Sequence, residues 1–432
     1  MLCGSCWPSL DRSVAVLRAR FHSGGVSISS GERIIFVFVL NCGSSSFKYQ
    51  LLDMSNEHRV AAGLVERIGM SDSVLIYEPA GGEKTKETAD IANHEIAIKM
   101  VLNKLVDPAI GVIKSLSDIA AIGHRVVHGA EKFSGSVLIT DAVIDALKEN
   151  IPLAPLHNPP NITGIEAVQK AMPGTPNVGV FDTSFHATMP AESYIYALPY
   201  EWYENYHVRR YGFHGTSHRF VSERAAQILG IAKDQFNCIT CHMGNGSSFT
   251  AVKEGKSYDT SMGMTPLEGI VMGTRCGDVD AGIPNYLAAN VNMSFSDIDN
   301  ALNKKSGLLG ISGVSSDMRD LWKAADEGNA RAKLAIDVLR HRALKYIGAY
   351  AIELGRVDAI VFTGGIGEND IAFRGSVVER LTALGIKLDA AANNVRGQEA
   401  VISTADSPIK VMVVPTNEEL VIARDTRDIV AK

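Results

Sequence analysis

The sequence predicts an α/β protein of two like-built domains whose strand ends face one cleft, and three observations carry that prediction. Short apolar runs alternate with helical stretches along the chain. Most of these runs stop abruptly at a cluster of glycine and small polar residues. One such cluster occurs twice, once in each half, as a duplicated unit would place it.

The first run, Ile34 to Leu40, is β-branched and aromatic, too short for a core helix, and reads as a central strand. It ends in Asn41-Cys-Gly-Ser-Ser-Ser-Phe-Lys48. There Gly43 frees the backbone, Ser44 to Ser46 offer hydroxyl and N–H donors, and Lys48 adds a cation, a set suited to phosphate. Taken alone, an ordinary hairpin turn reads the same. Ser117 to Val127 then runs into Gly-His-Arg-Val-Val-His-Gly129, and Asp141 to Glu149 is helical. Pro152 to Pro160 holds four prolines in nine residues, which predicts a fixed loop. Asn177 to Phe181 is a strand ending at Asp182-Thr-Ser-Phe-His186. Val221 to Leu229 has helical periodicity, with Thr216 and Ser217 placed to cap it and its N–H groups open to an anion. The opening pattern returns at Phe236 to Cys241, followed by His242-Met-Gly-Asn-Gly-Ser-Ser248. Asp358 to Phe362 ends in Thr363-Gly-Gly-Ile-Gly-Glu-Asn369, read as a third such turn, and Ile409 to Val414 ends in Pro415-Thr-Asn-Glu-Glu419. Polar clusters at carboxyl strand ends are where open α/β sheets bind ligands.

Composition narrows the classes. A chain of 432 residues, 46% hydrophobic and 21% charged, holds two or three domain cores. Its net charge of −6, with lysine and arginine scattered, predicts neither nucleic acid nor an anionic membrane surface as partner. No apolar run approaches the roughly 20 residues of a membrane helix. Six cysteines do not make a disulfide framework, so a reducing compartment and a cytoplasmic location are expected. Neither a P-loop nor a dinucleotide fingerprint occurs. Residues 1–33 carry Arg12, Arg18, Arg20 and Arg33 against Asp11 and Glu32, and read as a flexible leader or an early start, with an organelle transit peptide as the alternative. Cys238-Ile-Thr-Cys-His242 fits a haem-attachment pattern, but cysteines three apart on a strand point to opposite faces. Cys3 and Cys6 lack a second pair.

Seven motifs, in order, resemble those of the acetokinase family: Asn41 to Lys48, Gly123 to His128, Pro155 to Pro160, Phe181 to His186, Gly212 to His218, His242 to Gly246 and Thr363 to Asn369. The resemblance spans about Ile34 to Lys432. It implies two duplicated ribonuclease H-like domains of the actin-like ATPase type facing one cleft, residues 34–181 completed by 418–432 and a nucleotide-binding 182–417. It also implies a homodimer, ATP/ADP and acetate/acetyl phosphate as substrates, and Mg2+ or, in its place, Mn2+. The reaction implied is reversible transfer of a γ-phosphoryl group to acetate.

Residue by residue, the resemblance makes Arg125 and Arg275 the binders of acetate and the transferring phosphoryl group, a task for which guanidinium forks are suited. It makes His214 the transition-state donor and Asp182 the aspartate that orients an arginine and the magnesium shell. Val127, Leu156, Phe213 and Pro266 would wall a small apolar acid pocket. Lys48, Ser44, Ser46, His242, Asn245 and Gly246 would meet nucleotide phosphates. Asp317, Arg319, Gly365, Ile366, Gly367 and Asn369 would hold the rest of ATP, and Asn41 and Glu418 the metal; His157 is a further cleft position. The chain departs from the family pattern at Phe47, Ala130, Ser184, Cys276 and Ala281, none of which removes a functional group. A propionate or butyrate kinase is the nearest alternative. A nucleotide-driven switch is a more distant one, disfavoured by paired arginines beside a small apolar pocket.

Overall fold

A computed structural model describes residues 36–432. The leader reading of 1–33, Cys3 and Cys6, and the first two residues of the opening run lie outside the described residues.

Two sheets organise the described chain. The first contains β1 (Phe36–Cys42), β2 (Ser46–Asp53), β3 (His58–Glu66), β4 (Ser73–Pro79), β5 (Thr85–Ala89), β6 (Ile119–Val126), β7 (Val137–Leu138) and β8 (Asn177–Phe181), in the order β5-β4-β3-β2-β1-β6-β8-β7. The second contains β9 (Cys238–Met243), β10 (Ser247–Lys253), β11 (Lys256–Thr260), β12 (Ala359–Thr363), β13 (Ala400–Val401) and β14 (Lys410–Val413), in the order β11-β10-β9-β12-β14-β13. Both follow one scheme. An opening antiparallel meander is followed by two strands parallel to its first member, β6 and β8 in one sheet, β12 and β14 in the other. A short antiparallel strand closes each edge. The duplication expected from the repeated glycine-serine cluster is therefore present in the topology.

The apolar run Phe36 to Leu40 of β1 follows from burial on both faces. Phe38 and Leu40 pack with the helices His94–Leu105 and Asn158–Ala171. Val37 and Val39 pack on the other side with Val178, Val180, Ile422 and Ala423, so the Glu418–Val430 helix returns to the first sheet. In the second sheet Ile239 and Cys241 face the long Ala330–Leu354 helix, while Cys238 faces Val221 and Ala225 of the Gly215–Leu229 helix. Cys238 and Cys241 thus sit on opposite faces, as strand alternation requires.

Both glycine-serine clusters are hairpin turns, β1 to β2 and β9 to β10, closed by Gly43 N–H to Ser46 O at 2.8 Å and Gly244 N–H to Gly246 O at 3.0 Å. Three local expectations need correction. The proline-rich segment is not loop throughout: Pro159 and Pro160 lie in the first turn of the Asn158–Ala171 helix, where a missing N–H is harmless. The helix expected from Val221 starts at Gly215, so Thr216 and Ser217 lie inside its first turn and His214 holds the N-cap position. Thr363 to Asn369 is not a turn; β12 passes directly into a short helix, Gly364–Asn369. Ala130 sits at φ 48°, a left-handed conformation that costs a non-glycine residue about 1 kcal/mol.

The return of the last helix depends on Gly123 in β6. A Cβ there would lie 2.5 Å from Thr426 Oγ1 and 2.6 Å from Ile422 Cγ2. Gly123→Ala is expected to push this helix off the sheet and cost about 1–3 kcal/mol, read as a lowered denaturation midpoint. Because the helix begins with Glu418, activity should fall even at temperatures where the variant is folded. An unchanged midpoint would refute the close-approach argument.

Candidate active site

The carboxyl ends of three parallel strands meet at Arg125. Its Nε donates to Asp182 Oδ1 at 2.9 Å and its Nη2 to Asp182 Oδ2 at 2.6 Å, a bidentate fork. Nη1 reaches Asn41 Oδ1 at 3.4 Å, and Glu418 Oε2 lies 3.9 Å from Nε. Asn41 comes from β1, Arg125 from β6, Asp182 from the residue after β8, and Glu418 from the first residue of the last helix. Asp182 is almost inaccessible; burial pushes its carboxyl above the usual carboxylate range, and the Arg125 fork opposes that shift. Burial works in the same sense on Glu418, but Arg125, His242 and the Thr216 hydroxyl, which donates to it at 2.9 Å, hold it below the usual range. Two hard oxygens, Asn41 Oδ1 and Glu418 Oε2, therefore converge on one guanidinium. That donor set suits a magnesium ion that keeps most of its waters. Among the described residues no cluster of three or more His, Cys, Asp and Glu could hold a metal alone.

The second sheet brings His214, His242, Gly246 and Arg275 to the same place. His214 adopts a left-handed backbone, φ 57° and ψ 25°, and its ring stacks on His242 at 4.3 Å and 25°. A Cβ on Gly246 would lie 3.4 Å from both Arg275 Nη2 and His214 Nε2, which places the two groups side by side against this backbone. Burial lowers the His214 pKa well below its ordinary value, reinforced by His242, His218 and both arginines. Arg275 donates to Pro266 O at 2.7 Å and has no carboxylate partner among the described residues. His157 is also held low, by burial and then by Arg125 and Arg275.

Of the expected acid-pocket residues, Val127 and Phe213 cluster with Met262 and Met272. Pro266 contributes its carbonyl to Arg275. Leu156 is 71% exposed and stands apart from that cluster. Met262 and Met272 escaped sequence reasoning, since isolated methionines in a long loop carry no periodic signal.

A cavity of about 980 Å3 lies beside the second sheet, lined by the expected Asn245, Asp317, Arg319, Gly365, Ile366 and Asn369. Trp322, Asp370 and Arg396 also line it and were not foreseen; Trp322 Nε1 donates to Asp370 Oδ2 at 2.8 Å. Asp317 caps the Met318–Asp326 helix and pairs with Arg319 at 2.6 Å. Gly367 is buried rather than lining, and its carbonyl accepts from Arg374 Nη1 at 2.9 Å. Ser44, Ser46 and Lys48 belong to the hairpin of the first sheet and are not among the residues lining this cavity; Lys48 lies opposite Asn41 in the β1–β2 register and favours ionised Glu418.

Two arginines and a neutral imidazole beside a small apolar cluster, next to a nucleotide-sized cavity, are the equipment of a phosphotransferase acting on a small anion. Comparison with known proteins agrees. The acetokinase family model matches residues 36–424. An acetate kinase of Desulfitobacterium hafniense (strain Y51) is 58% identical over 396 residues, covering 92% of this chain and 99% of the relative. The crystal structure of Porphyromonas gingivalis acetate kinase superposes with a TM-score of 0.88 at 50% identity, over 92% of this chain and all of that one (100%). A propionate kinase structure from Francisella tularensis gives 0.86 at 44% identity, over 91% and 100%. The chain belongs to the acetokinase family, phosphotransferases with a carboxyl group as acceptor.

The buried histidines predict acid sensitivity. Burial lowers His124, His128 and His186 each to about 4. The unfolded chain takes up these protons near pH 6.5, the folded chain only near 4, so stability is present above the unfolded value and is lost as pH falls between the two. Each histidine contributes a slope of about 1.4 kcal/mol per pH unit in that window. Denaturant midpoints measured between about pH 7 and about pH 4.5 should fall steadily; a flat profile would contradict this burial.

Proposed function

We propose that the chain transfers the γ-phosphoryl group of ATP to acetate, reversibly and directly in line, giving acetyl phosphate and ADP. The observation that carries the reading is the pairing of Arg125, tethered by Asp182, with Arg275, which has no carboxylate partner among the described residues. An anion attacking a polyanion is limited by charge, so cations and donors fixed in the cleft are what the reaction needs. Acetate is already ionised and requires no base. Arg125 and Arg275 hold the acid and the transferring group, and neutral His214 donates a hydrogen bond to an equatorial phosphoryl oxygen. The ATP phosphates pass the Ser44–Lys48 and His242–Gly246 hairpins, and the adenosine occupies the large cavity.

Asn41 and Glu418 would hold Mg2+, or Mn2+ in its place. Bound there, the ion would offset phosphate charge. We take 34–181 with 418–432 as one domain and 182–417 as the other. A homodimer is supported by apolar side chains left exposed on three helices, among them Tyr206, Tyr286 and Phe295. A cytoplasmic setting accords with the free Cys42, Cys238 and Cys241.

The propionate reading is the second, because the propionate kinase of Francisella tularensis shares the fold. One methylene against Val127, Phe213, Met262 and Met272 is worth only about 1–3 kcal/mol. The deciding assay measures ADP release from Mg-ATP with acetate, propionate or butyrate, trapping acyl phosphate with hydroxylamine. Acetate-dependent turnover is expected. A preference for propionate of tenfold, about 1.4 kcal/mol, would overturn the acid assignment, and ATP hydrolysis indifferent to added acid would overturn the kinase. Arg275→Ala and His214→Ala should each lower kcat by about 100- to 1,000-fold while circular dichroism stays unchanged. Activity within a few-fold of the parent would remove that residue from the site.

A further inference from the structure

Behind His214 lies a line of fully buried polar groups to which the reaction gives no direct part. His214 Nδ1 is 2.8 Å from Ser248 Oγ of β10. That oxygen is 2.7 Å from His218 Nε2, one turn along the helix from His214. His218 Nδ1 is in turn 2.7 Å from Thr240 Oγ1 of β9. Ser248, His218 and Thr240 are all 0% exposed.

A neutral imidazole carries one hydrogen, and Ser248 Oγ has no further hydrogen-bond partner among the described residues; if its buried O–H is not to go unpaired, these three bonds run in a single direction. In one direction Thr240 O–H donates to His218 Nδ1, His218 Nε2–H donates to Ser248 Oγ, and Ser248 O–H donates to His214 Nδ1. The hydrogen of His214 then sits on Nε2. In the reverse direction His214 Nδ1–H starts the chain, and the Thr240 hydrogen is left with the Thr250 carbonyl at 3.5 Å. That distance is at the outer limit for a hydrogen bond, whereas the forward direction uses the same hydrogen at 2.7 Å. A buried donor with a poor acceptor is costly, so the forward direction prevails.

We propose that Thr240, His218 and Ser248 are positioning residues that fix His214 as its Nε2–H tautomer, with that hydrogen presented beside Gly246 and Arg275. The inference rests on the reading of His214 as the donor to the phosphoryl group. A neutral imidazole has one N–H; in the other tautomer it would turn a lone pair toward an oxygen anion. The left-handed backbone of His214 and its stacking on His242 aim the ring, and the buried chain decides which nitrogen carries the proton.

Long-range proton–nitrogen spectra of the full chain labelled in histidine nitrogen read the tautomers directly. His214 and His218 should both show the neutral Nε2–H pattern. Thr240→Val keeps shape and removes the hydroxyl, and Ser248→Ala removes the middle link. Each should disturb the His214 pattern and lower kcat by about 10- to 100-fold, with KM for ATP and acetate within about twofold. Thr240→Ser, which retains the hydroxyl, should restore both. A His214 signal of the Nδ1–H type overturns the proposal, as does parental kcat in Ser248→Ala when His214→Ala is inactive. Full activity in His214→Ala overturns instead the reading of the site on which the proposal stands.

Discussion

A buried carboxylate cannot stand without compensation, and the fork between Arg125 and Asp182 is the constraint that the rest of the cleft answers to. Because Asp182 follows β8 and Arg125 lies in β6, the pair locks two parallel strand ends in register. Asn41 draws in the end of β1, and Glu418 draws in the start of the last helix. The main-chain oxygen of Asp182 also accepts from Gly215 N–H at 2.9 Å, which ties the same residue to the helix that begins beside His214. Losing the guanidinium would strand the Asp182 carboxylate in a nearly inaccessible place. One ion pair thus joins the architecture of the first sheet to the chemistry of the second.

The two arginines differ in a way that suits the tasks proposed for them. Arg125 is held by a carboxylate and cannot wander, which makes it a fixed fork for an anion. Arg275 is anchored by the Pro266 carbonyl, with Met272 Sδ at 3.5 Å, and burial lowers its pKa. A cation held by neutral dipoles keeps its full attraction for incoming phosphate, because no resident carboxylate competes. His214 complements both by being neutral: it adds a donor without further charge. Burial that disfavours its protonation is therefore part of what fits it to the cleft.

Much of this was legible in the chain, because strands buried on both faces must be apolar and must end where polar groups become useful. Phe36 to Cys42 and Asn177 to Phe181 announce themselves in that way, and Arg125, Asp182 and His214 stand in or beside their motifs. The repeated glycine-serine cluster correctly implied a duplicated sheet. Pro159 and Pro160 misled because proline breaks a helix in its interior but begins one comfortably, and composition does not say which applies. The cap at His214 was missed because a left-handed N-cap depends on how Gly215 docks on Asp182, not on a preferred residue type.

The sequence by itself determined the α/β class, the duplication, the strand ends that carry chemistry and the kinship with acetate kinases, since each is written in local pattern or ordered motif. Only the tertiary structure decided which distant residues complete the site. Met262 and Met272 beside Phe213, Trp322 and Arg396 in the large cavity, and Ser248 behind His214 come from separate segments with no shared period. Their proximity is set by how two sheets and their helices close on one another, a relation between elements that no single stretch of chain encodes.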